Sequence, residues 1–265
     1  MQYGVCSGPE IVPLLAHTGF DYIEMGVGSL LKPREDHASF ASSLQAVRAL
    51  GLPCPAANLF VPGDLKITGP DVDPSALKQY VTTTFERAHE AGVEVIVFGS
   101  GGARGIPDGF DRTAAQDQLI QFCAMLAPIA LEHSVTVAVE PLNSKDCNVL
   151  TAIHECATLV RTVDHPAVRL LVDAYHLLKD DDPLEEIVQN GDLLAHVHIA
   201  TEENRLPPGA EPCDLAPFFD ALVQAGYDGR ISIEARMSSP DSDLPRALSH
   251  MKTLEQEAKV RNSMS

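Results

Sequence analysis

The stretch VTVAVEPLN, residues 135–143, decides the fold because a run typical of a buried strand ends in a carboxylate. Val135, Val137 and Val139 alternate as β-branched residues do in strands. Glu140 follows directly, where the strand is still expected to be buried, and a proline comes next. A single acid in such a position usually caps the next helix or pairs with a base. Its meaning therefore depends on whether other strands of the chain end in the same way.

Short β-like runs alternate with helix-like segments along the whole chain. The predicted strands cover residues 3–7, 22–27, 55–61, 93–100, 135–142, 168–176, 193–200 and 229–235. Eight strands that alternate with helices over about 250 residues predict an α/β protein of the (β/α)8 TIM barrel class. A doubly wound open sheet fits less well, because the residues after the first strand, CSGPEIV, lack the G-x-G-x-x-G phosphate loop.

Between the strands, apolar residues recur at the i, i+3 and i+4 spacing of amphipathic helices. The clearest helix is predicted after Asp73 as N-cap, with Pro74 at its first position and Gly92 as its stop. A second helical segment, residues 113–134, contains Pro128. Because a proline inside a helix costs about 3 kcal/mol, we expect a kink or a break there.

The composition predicts one globular domain. The chain has 265 residues, of which 45% are apolar, so a sizeable core can be buried. No Pro/Gly-rich linker or change of composition divides it. We therefore expect a single barrel domain over residues 1–258 and a frayed, polar C-terminal tail over residues 259–265.

Charge and cysteine usage limit the classes of partner. The formal net charge of −18 repels phosphate backbones, so neither nucleic acid nor an anionic membrane is expected as a partner. No run reaches the roughly 18 to 20 apolar residues that span a bilayer. The first ten residues, MQYGVCSGPE, lack the basic and apolar parts of a signal peptide. Six cysteines without a CxxC pair indicate reduced thiols, and the expected location is the cytoplasm.

The last four predicted strands all end in a side chain that can bind a metal: Glu140, Asp173, His198 and Glu234. Because the strands of a barrel run parallel, their carboxyl ends meet at one rim, where active sites of this fold lie. Three carboxylates at one place repel one another unless a cation lies among them. Three carboxylates and one imidazole form an oxygen-rich ligand set that suits Mn²⁺, Co²⁺ or Mg²⁺ better than structural Zn²⁺.

Several motifs resemble the xylose isomerase-like TIM barrel superfamily, and within it the sugar isomerases and epimerases of the D-tagatose 3-epimerase type. These motifs are VAVEPLN, LLVDAYH, HVHIA followed by NRLPPG, GYDGRISIEA and the earlier VFGSGGAR. The resemblance covers nearly the whole chain. It implies one divalent metal, most often Mn²⁺, held by the four strand-end residues. It also implies a small-molecule sugar as partner and a homodimer or homotetramer.

The resemblance further implies which residues contact the substrate. His176 and Arg205 match a substrate-binding histidine and arginine of the family. Asp146 is the acid nearest to the position of a glutamate that touches the sugar. Glu24 ends the second strand and is expected either to line the site or to form a structural pair. His196, the first histidine of HVH, is expected to pack behind the site.

The implied activity is that of a metal-dependent epimerase or isomerase acting on a ketose or a keto-glycoside. Glu140 and Glu234 would be the facing catalytic pair, one taking and the other returning a proton through a metal-stabilised cis-enediolate. Return of the proton to the opposite face of the same carbon is epimerisation. Return to the neighbouring carbon is aldose–ketose isomerisation.

Three alternatives to this function exist. A metal-dependent lyase or dehydratase acting on a sugar-like or keto-acid substrate would use the same four ligands. The AP-endonuclease branch of the superfamily needs three metals and additional histidines at the third and fourth strand ends, where this chain has AANLF and FGSGG. A non-catalytic sugar-binding module would not need both facing glutamates.

Overall fold

Eight parallel strands close into one barrel in the computed structural model, which describes residues 1–264. Each strand pairs with the next one along the chain, and the last strand pairs with the first. The strands are β1 (Gln2–Cys6), β2 (Tyr22–Gly26), β3 (Ala56–Asn58), β4 (Val95–Phe98), β5 (Thr136–Val139), β6 (Val168–Asp173), β7 (Leu194–Ile199) and β8 (Arg230–Ile233). The predicted TIM barrel is confirmed.

Helices connect the strands and cover the outside of the barrel. They are α1 (Val12–Thr18), α2 (Val27–Leu30), α3 (His37–Arg48), α4 (Pro74–Ala91), α5 (Gly101–Arg104), α6 (Arg112–Glu132), α7 (Ile153–Val163), α8 (Ala174–Lys179), α9 (Glu185–Gln189), α10 (Ala216–Gln224) and α11 (Pro240–Ser263). Two short 3-10 helices, Pro9–Ile11 and Gly191–Leu193, precede α1 and β7. Within residues 1–264, no helix is long and apolar enough to cross a bilayer.

The local signals around α4 act as the sequence predicts. The Asp73 side chain accepts hydrogen bonds from the backbone N–H groups of Ser75 and Ala76, which otherwise lack helical partners. Gly92 ends the helix in the left-handed conformation, with φ of 77°. A residue without Cβ adopts this conformation at little cost. The predicted bounds of this helix are confirmed.

The predicted break at Pro128 does not occur, because α6 is one helix on both sides of it. Core side chains explain this result. Leu126 and Ala127 are buried immediately before the proline, and Ala130 is buried two residues after it. Their burial continues the apolar face across the missing hydrogen bond, and packing of such a face stabilises helices more than propensity does.

The polar tail expected from residue 259 is helical up to Ser263. Ala258 is buried, and Lys259 pairs with Glu255 one turn earlier, at 2.6 Å between Nζ and Oε1. The expectation of a frayed tail is therefore wrong for residues 259–263. Ser265 lies outside the described residues.

The barrel interior has an apolar part and a polar part. Apolar side chains from β3, β4, β5 and β6 fill the apolar part: Ala56, Val95, Val97, Ala138 and Leu171. Buried polar side chains of β2, β7 and β8 face each other in the other part, among them Glu24, His198 and Ser232. The C-terminal ends of the strands therefore open above a core that already carries charge.

Candidate metal centre

The structure brings the four predicted strand-end ligands together. Asp173 and His198 pair across β6 and β7. Nδ1 of His198 lies 3.2 Å from Oε1 of Glu140 and 3.6 Å from Oε2 of Glu234. One possible ligand atom from each of the four residues lies within 4.8 Å of the other three, which is compatible with a single bound ion. We call Glu140, Asp173, His198 and Glu234 the rim cluster.

Asp173 shows that this donor set fits a cation. Its side chain is fully buried, and Oδ1 accepts a hydrogen bond from the backbone N–H of Tyr175. Oδ2 has no hydrogen-bond partner within residues 1–264; Nε2 of His176 lies 3.7 Å away and Nη2 of Arg205 lies 3.9 Å away. Burial raises the pKa of Asp173 to about 6. A buried carboxylate oxygen without a partner, next to two other carboxylates, fits a metal ligand.

His198 and Glu234 respond to the same crowding of charge. Burial lowers the pKa of His198, but the Glu24 carboxylate and the contacts with Cys6 and Glu140 together outweigh burial, and the pKa lies well above its usual value. Burial opposes ionisation of Glu234 as well, yet hydrogen bonding to His198 and the charges of His198 and Arg205 lower its pKa to about 2. Cations therefore stabilise the ionised form of Glu234. A bound metal ion would replace the proton that Nδ1 of His198 carries without one.

Glu140 is positioned through its backbone by Arg104, a fully buried side chain of α5. Nη2 of Arg104 donates to the carbonyl of Glu140 at 2.8 Å and to that of Leu150 at 3.1 Å. Nη1 donates to the carbonyl of Phe98, the last residue of β4, at 3.0 Å. One guanidinium thus joins the ends of β4 and β5 and fixes the point from which the Glu140 side chain leaves.

Gly99 leaves room for the Glu140 carboxylate. A Cβ added at Gly99 would lie 2.2 Å from Oε2 of Glu140, which is far below any allowed contact. Gly99→Ala is therefore expected to displace this carboxylate, which is predicted to be catalytic, and to lower kcat by about 100-fold, as misplacement of a catalytic group does. Steady-state kinetics together with Tm would measure the effect.

Gly28→Ala is the matched control for this substitution. Gly28 also lines the cavity, but an added Cβ there meets nothing within 4 Å. This variant is expected to stay within about 3-fold of the wild-type kcat, since no group near the cluster moves. Equal kcat values for the two alanine variants would contradict the role given to Gly99.

A cavity of about 580 Å³ opens above the rim cluster. It is lined by Gly26, Gly28, Ser29, Asn58, Leu59, Val61, Pro62, Gly63, Gly99, Ser100, Gly101, Gly102, Glu140, Leu142, Asp146, His176, Arg205 and Glu234. The wall formed after β2, β3 and β4 is uncharged and rich in glycine and serine. The opposite wall carries the ionisable side chains. A ligand in the cavity would therefore contact the ionisable groups of the protein on one side only.

Three of the predicted substrate-binding residues line this cavity. Asn143 donates its backbone N–H to Nδ1 of His176 at 3.0 Å, which leaves the ring proton on Nε2. Arg205 donates to the Glu234 carboxylate, and its guanidinium lies 4.6 Å from the centre of the Tyr175 ring. Asp146, the third residue, accepts a hydrogen bond from the Asn143 side chain at 2.9 Å. Their contact with a substrate stays a prediction.

Glu24 does not lie where substrate binding would place it. It is fully buried and does not line the cavity. Its carboxylate instead contacts His198 from below, at 2.9 Å between Oε1 and Nε2, and His196 at 2.8 Å. Of the two alternatives, the structural pair is the one found, and substrate binding by this residue is not supported.

Two asparagines near the cluster were missed by the sequence reasoning. Nδ2 of Asn58 lies 3.2 Å from Oε1 of Glu234 and donates to it. Asn143 fixes the tautomer of His176, as described above. Signals for both existed. Asn58 ends β3 as the cluster residues end their strands, and Asn143 closes the motif EPLN.

Fold and cluster together define a (β/α)8 barrel with a candidate metal centre at its C-terminal rim. The chain belongs to the family described as xylose isomerase-like TIM barrel, which matches residues 12–254. The superfamily resemblance of the motifs is thereby confirmed.

Relatives with assigned activities cover part of the chain. A 3-dehydro-D-guloside 4-epimerase of Escherichia coli K12 is 28% identical over 132 residues, which is 49% of this chain and 48% of the relative. A ketose 3-epimerase of Arthrobacter globiformis is 30% identical over 125 residues, 46% of this chain and 43% of the relative. The chain thus spans less than half the length of these two relatives.

Solved structures extend the likeness to the whole fold. A D-allulose 3-epimerase from Methylomonas sp. superimposes with a TM-score of 0.83, covering 96% of this chain and 98% of the other. The sequence identity in that superposition is 20%. At this identity the match establishes the barrel and its connections, and the activity has to be argued from the site.

Proposed function

We propose that this protein is a divalent-metal-dependent epimerase or isomerase of ketoses or keto-glycosides. The observation that carries the proposal is the pair Glu140 and Glu234, which line one cavity and approach the same imidazole nitrogen at 3.2 and 3.6 Å. Two carboxylates that reach one substrate carbon from different sides are what a reversible proton transfer needs. The named activities of the two relatives, a 4-epimerase and a ketose 3-epimerase, support this class of reaction.

The metal would be held by the rim cluster, and we expect Mn²⁺, with Co²⁺ or Mg²⁺ as alternatives. The unpartnered Oδ2 of Asp173 and the mixed carboxylate–imidazole donor set support it. When bound, such an ion acts as a Lewis acid that polarises the substrate carbonyl and makes the neighbouring C–H bond more acidic.

The protein's own groups would then move the proton. One glutamate of the pair takes the proton from the carbon next to the carbonyl, and the other, protonated, returns a proton to the opposite face. Asn58 and Arg205 donate hydrogen bonds to Glu234 and fix the direction of its carboxylate. His176 lines the cavity, and the N–H at its Nε2, which lies 3.7 Å from Oδ2 of Asp173, would donate to a substrate oxygen.

Solvent exchange tests this proposal before the natural substrate is known. Ketoses and 3-keto-glycosides would be incubated with Mn²⁺-loaded protein in D₂O, and products analysed by NMR and mass spectrometry. We expect one deuterium at the carbon that changes configuration in an epimerisation, or at the former carbonyl carbon in an isomerisation, because the carboxylates exchange their protons with solvent. A product with an ultraviolet-absorbing enone would assign the lyase or dehydratase class instead. Epimerisation without any deuterium uptake would contradict proton transfer through the two glutamates.

A small sugar molecule is the partner that this proposal requires. The predicted cytoplasmic location and the predicted homodimer or homotetramer stay predictions that the chemistry does not need.

A further inference from the structure

A second polar cluster lies inside the barrel, directly beneath the rim cluster. It consists of Tyr22 and Glu24 from β2, His196 from β7 and Ser232 from β8, all buried, and we call it the interior cluster. It touches the rim cluster at His198. These buried groups have no role in the proposed reaction, although burying polar groups inside a barrel costs free energy.

The hydrogen bonds of the interior cluster converge on one carboxylate. Glu24 accepts from Nε2 of His198 at Oε1, at 2.9 Å. Its other oxygen, Oε2, accepts from Nε2 of His196 at 2.8 Å and from Oγ of Ser232 at 2.6 Å. Since the Ser232 hydroxyl donates its only proton to Glu24, it accepts the hydrogen bond from the Tyr22 hydroxyl at 2.9 Å. Every donor around Glu24 thus points at it, as an ionised carboxylate requires.

This arrangement determines which nitrogen of His198 is available above. The Nε2–H is directed downward at Glu24, so the lone pair of a neutral ring lies on Nδ1. Nδ1 faces Glu140 and Glu234, the two acids of the rim cluster nearest to it. A metal ligand must offer a lone pair in a fixed direction, and the partner of its second nitrogen sets both the tautomer and the ring orientation.

We propose that Glu24 is a positioning residue that holds His198 in the tautomer and orientation needed to bind the divalent ion. This inference rests on the proposed metal site. It gives a reason for an acid at a position where an apolar side chain would pack more cheaply. Cys6, whose Sγ lies 3.8 Å from Nε2 of His198, is too weak a partner to replace the carboxylate.

Glu24→Gln tests the proposal with little change in volume. Glutamine removes the charge and turns one of the two acceptors into a donor. We expect the affinity for Co²⁺, measured by competition with a chromogenic chelator, to fall 10- to 100-fold, as it does when the partner of a ligating histidine is removed. The visible absorption spectrum of bound Co²⁺ should change as well, because it reports the geometry of the ligands.

Ser232→Ala is the matched control. It removes a donor from Oε2 of Glu24 and leaves the bond from Oε1 to His198. We expect its Co²⁺ affinity to remain within about 3-fold of the wild type. Wild-type affinity and spectrum in Glu24→Gln would overturn the proposal, and so would an equal loss in both variants, which would indicate general loosening of the interior.

The outcomes for the two proposals are distinguishable. Wild-type protein that binds less than one equivalent of Co²⁺ would overturn the metal site itself. Wild-type binding that Glu24→Gln leaves unchanged would overturn only the role of Glu24. If Glu24→Gln does not yield folded protein, Glu24→Asp keeps the charge and withdraws it from His198. A lower Co²⁺ affinity is then expected, and an unchanged affinity would again refute the positioning role.

Discussion

Replacing Glu140 by glutamine is expected to lower kcat by about 1,000-fold. An amide of the same shape cannot take or return a proton, and general acid–base groups contribute typically 100- to 10,000-fold. Glu140 is also a proposed ligand, so kcat should be measured at saturating Mn²⁺ to separate proton transfer from metal loss. Deuterium exchange on a substrate found by the screen provides the direct readout. A variant that turns over and exchanges at the wild-type rate would refute the assigned mechanism.

The companion variant Glu234→Gln makes this test sharper. If each glutamate serves one face of the carbon, each variant keeps one intact base. Glu140→Gln should then exchange the proton of one epimer slowly and leave the other untouched, whereas Glu234→Gln should show the opposite preference. Asp146→Asn is the control, since Asp146 lines the cavity outside the rim cluster. It is expected to raise KM and to preserve exchange with both epimers.

The barrel was predictable because its signals are local and repeated. Strand periodicity, strand-end acids and helix stops such as Gly92 each depend on only a few neighbouring residues. Strand ends were less predictable. The run 55–61 forms a strand only over Ala56–Asn58, because Leu59 takes a left-handed conformation with φ of 54° and turns the chain. Hydrophobicity alone does not reveal such a turn.

Asp173 shows why a strand-end acid carries more than one meaning. Its Oδ1 caps α8, as the conventional interpretation of a lone acid predicts, while Oδ2 lies free for the rim cluster. The predicted strand 168–176 therefore ends at Asp173, and residues 174–176 are helical. The helix cap and the candidate ligand are two oxygens of one carboxylate, so the two interpretations are not exclusive.

The role of Glu24 lay beyond sequence reasoning because it depends on the register of distant strands. Glu24 and His198 are 174 positions apart in the sequence, and their contact requires the closed barrel. Because Glu24 was predicted to lie at the end of the second strand, its side chain was expected at the mouth of the cavity. The actual depth of the side chain places it among His196 and Ser232, one layer below the rim cluster.

Removing divalent ions with a chelator is expected to reduce activity below about 1% of the metal-loaded protein, and Mn²⁺ or Co²⁺ should restore it. Without a Lewis acid the substrate carbonyl is no longer polarised, and this polarisation stabilises the transition state by several kcal/mol. The three carboxylates of the rim cluster also lose their countercharge. Activity that survives exhaustive chelation would refute metal dependence.

Thermal stability provides a readout that is independent of any substrate. An ion that binds only the folded state stabilises it by about 2.7 kcal/mol at 100 times its Kd. For a chain of this size that corresponds to a rise in Tm of about 5 °C. Asp173→Asn removes one proposed ligand of the rim cluster, so its Tm should rise much less with Mn²⁺ than that of the wild type. An equal Mn²⁺-induced rise in the wild type and in Asp173→Asn would locate the bound ion elsewhere and refute the rim cluster as its site.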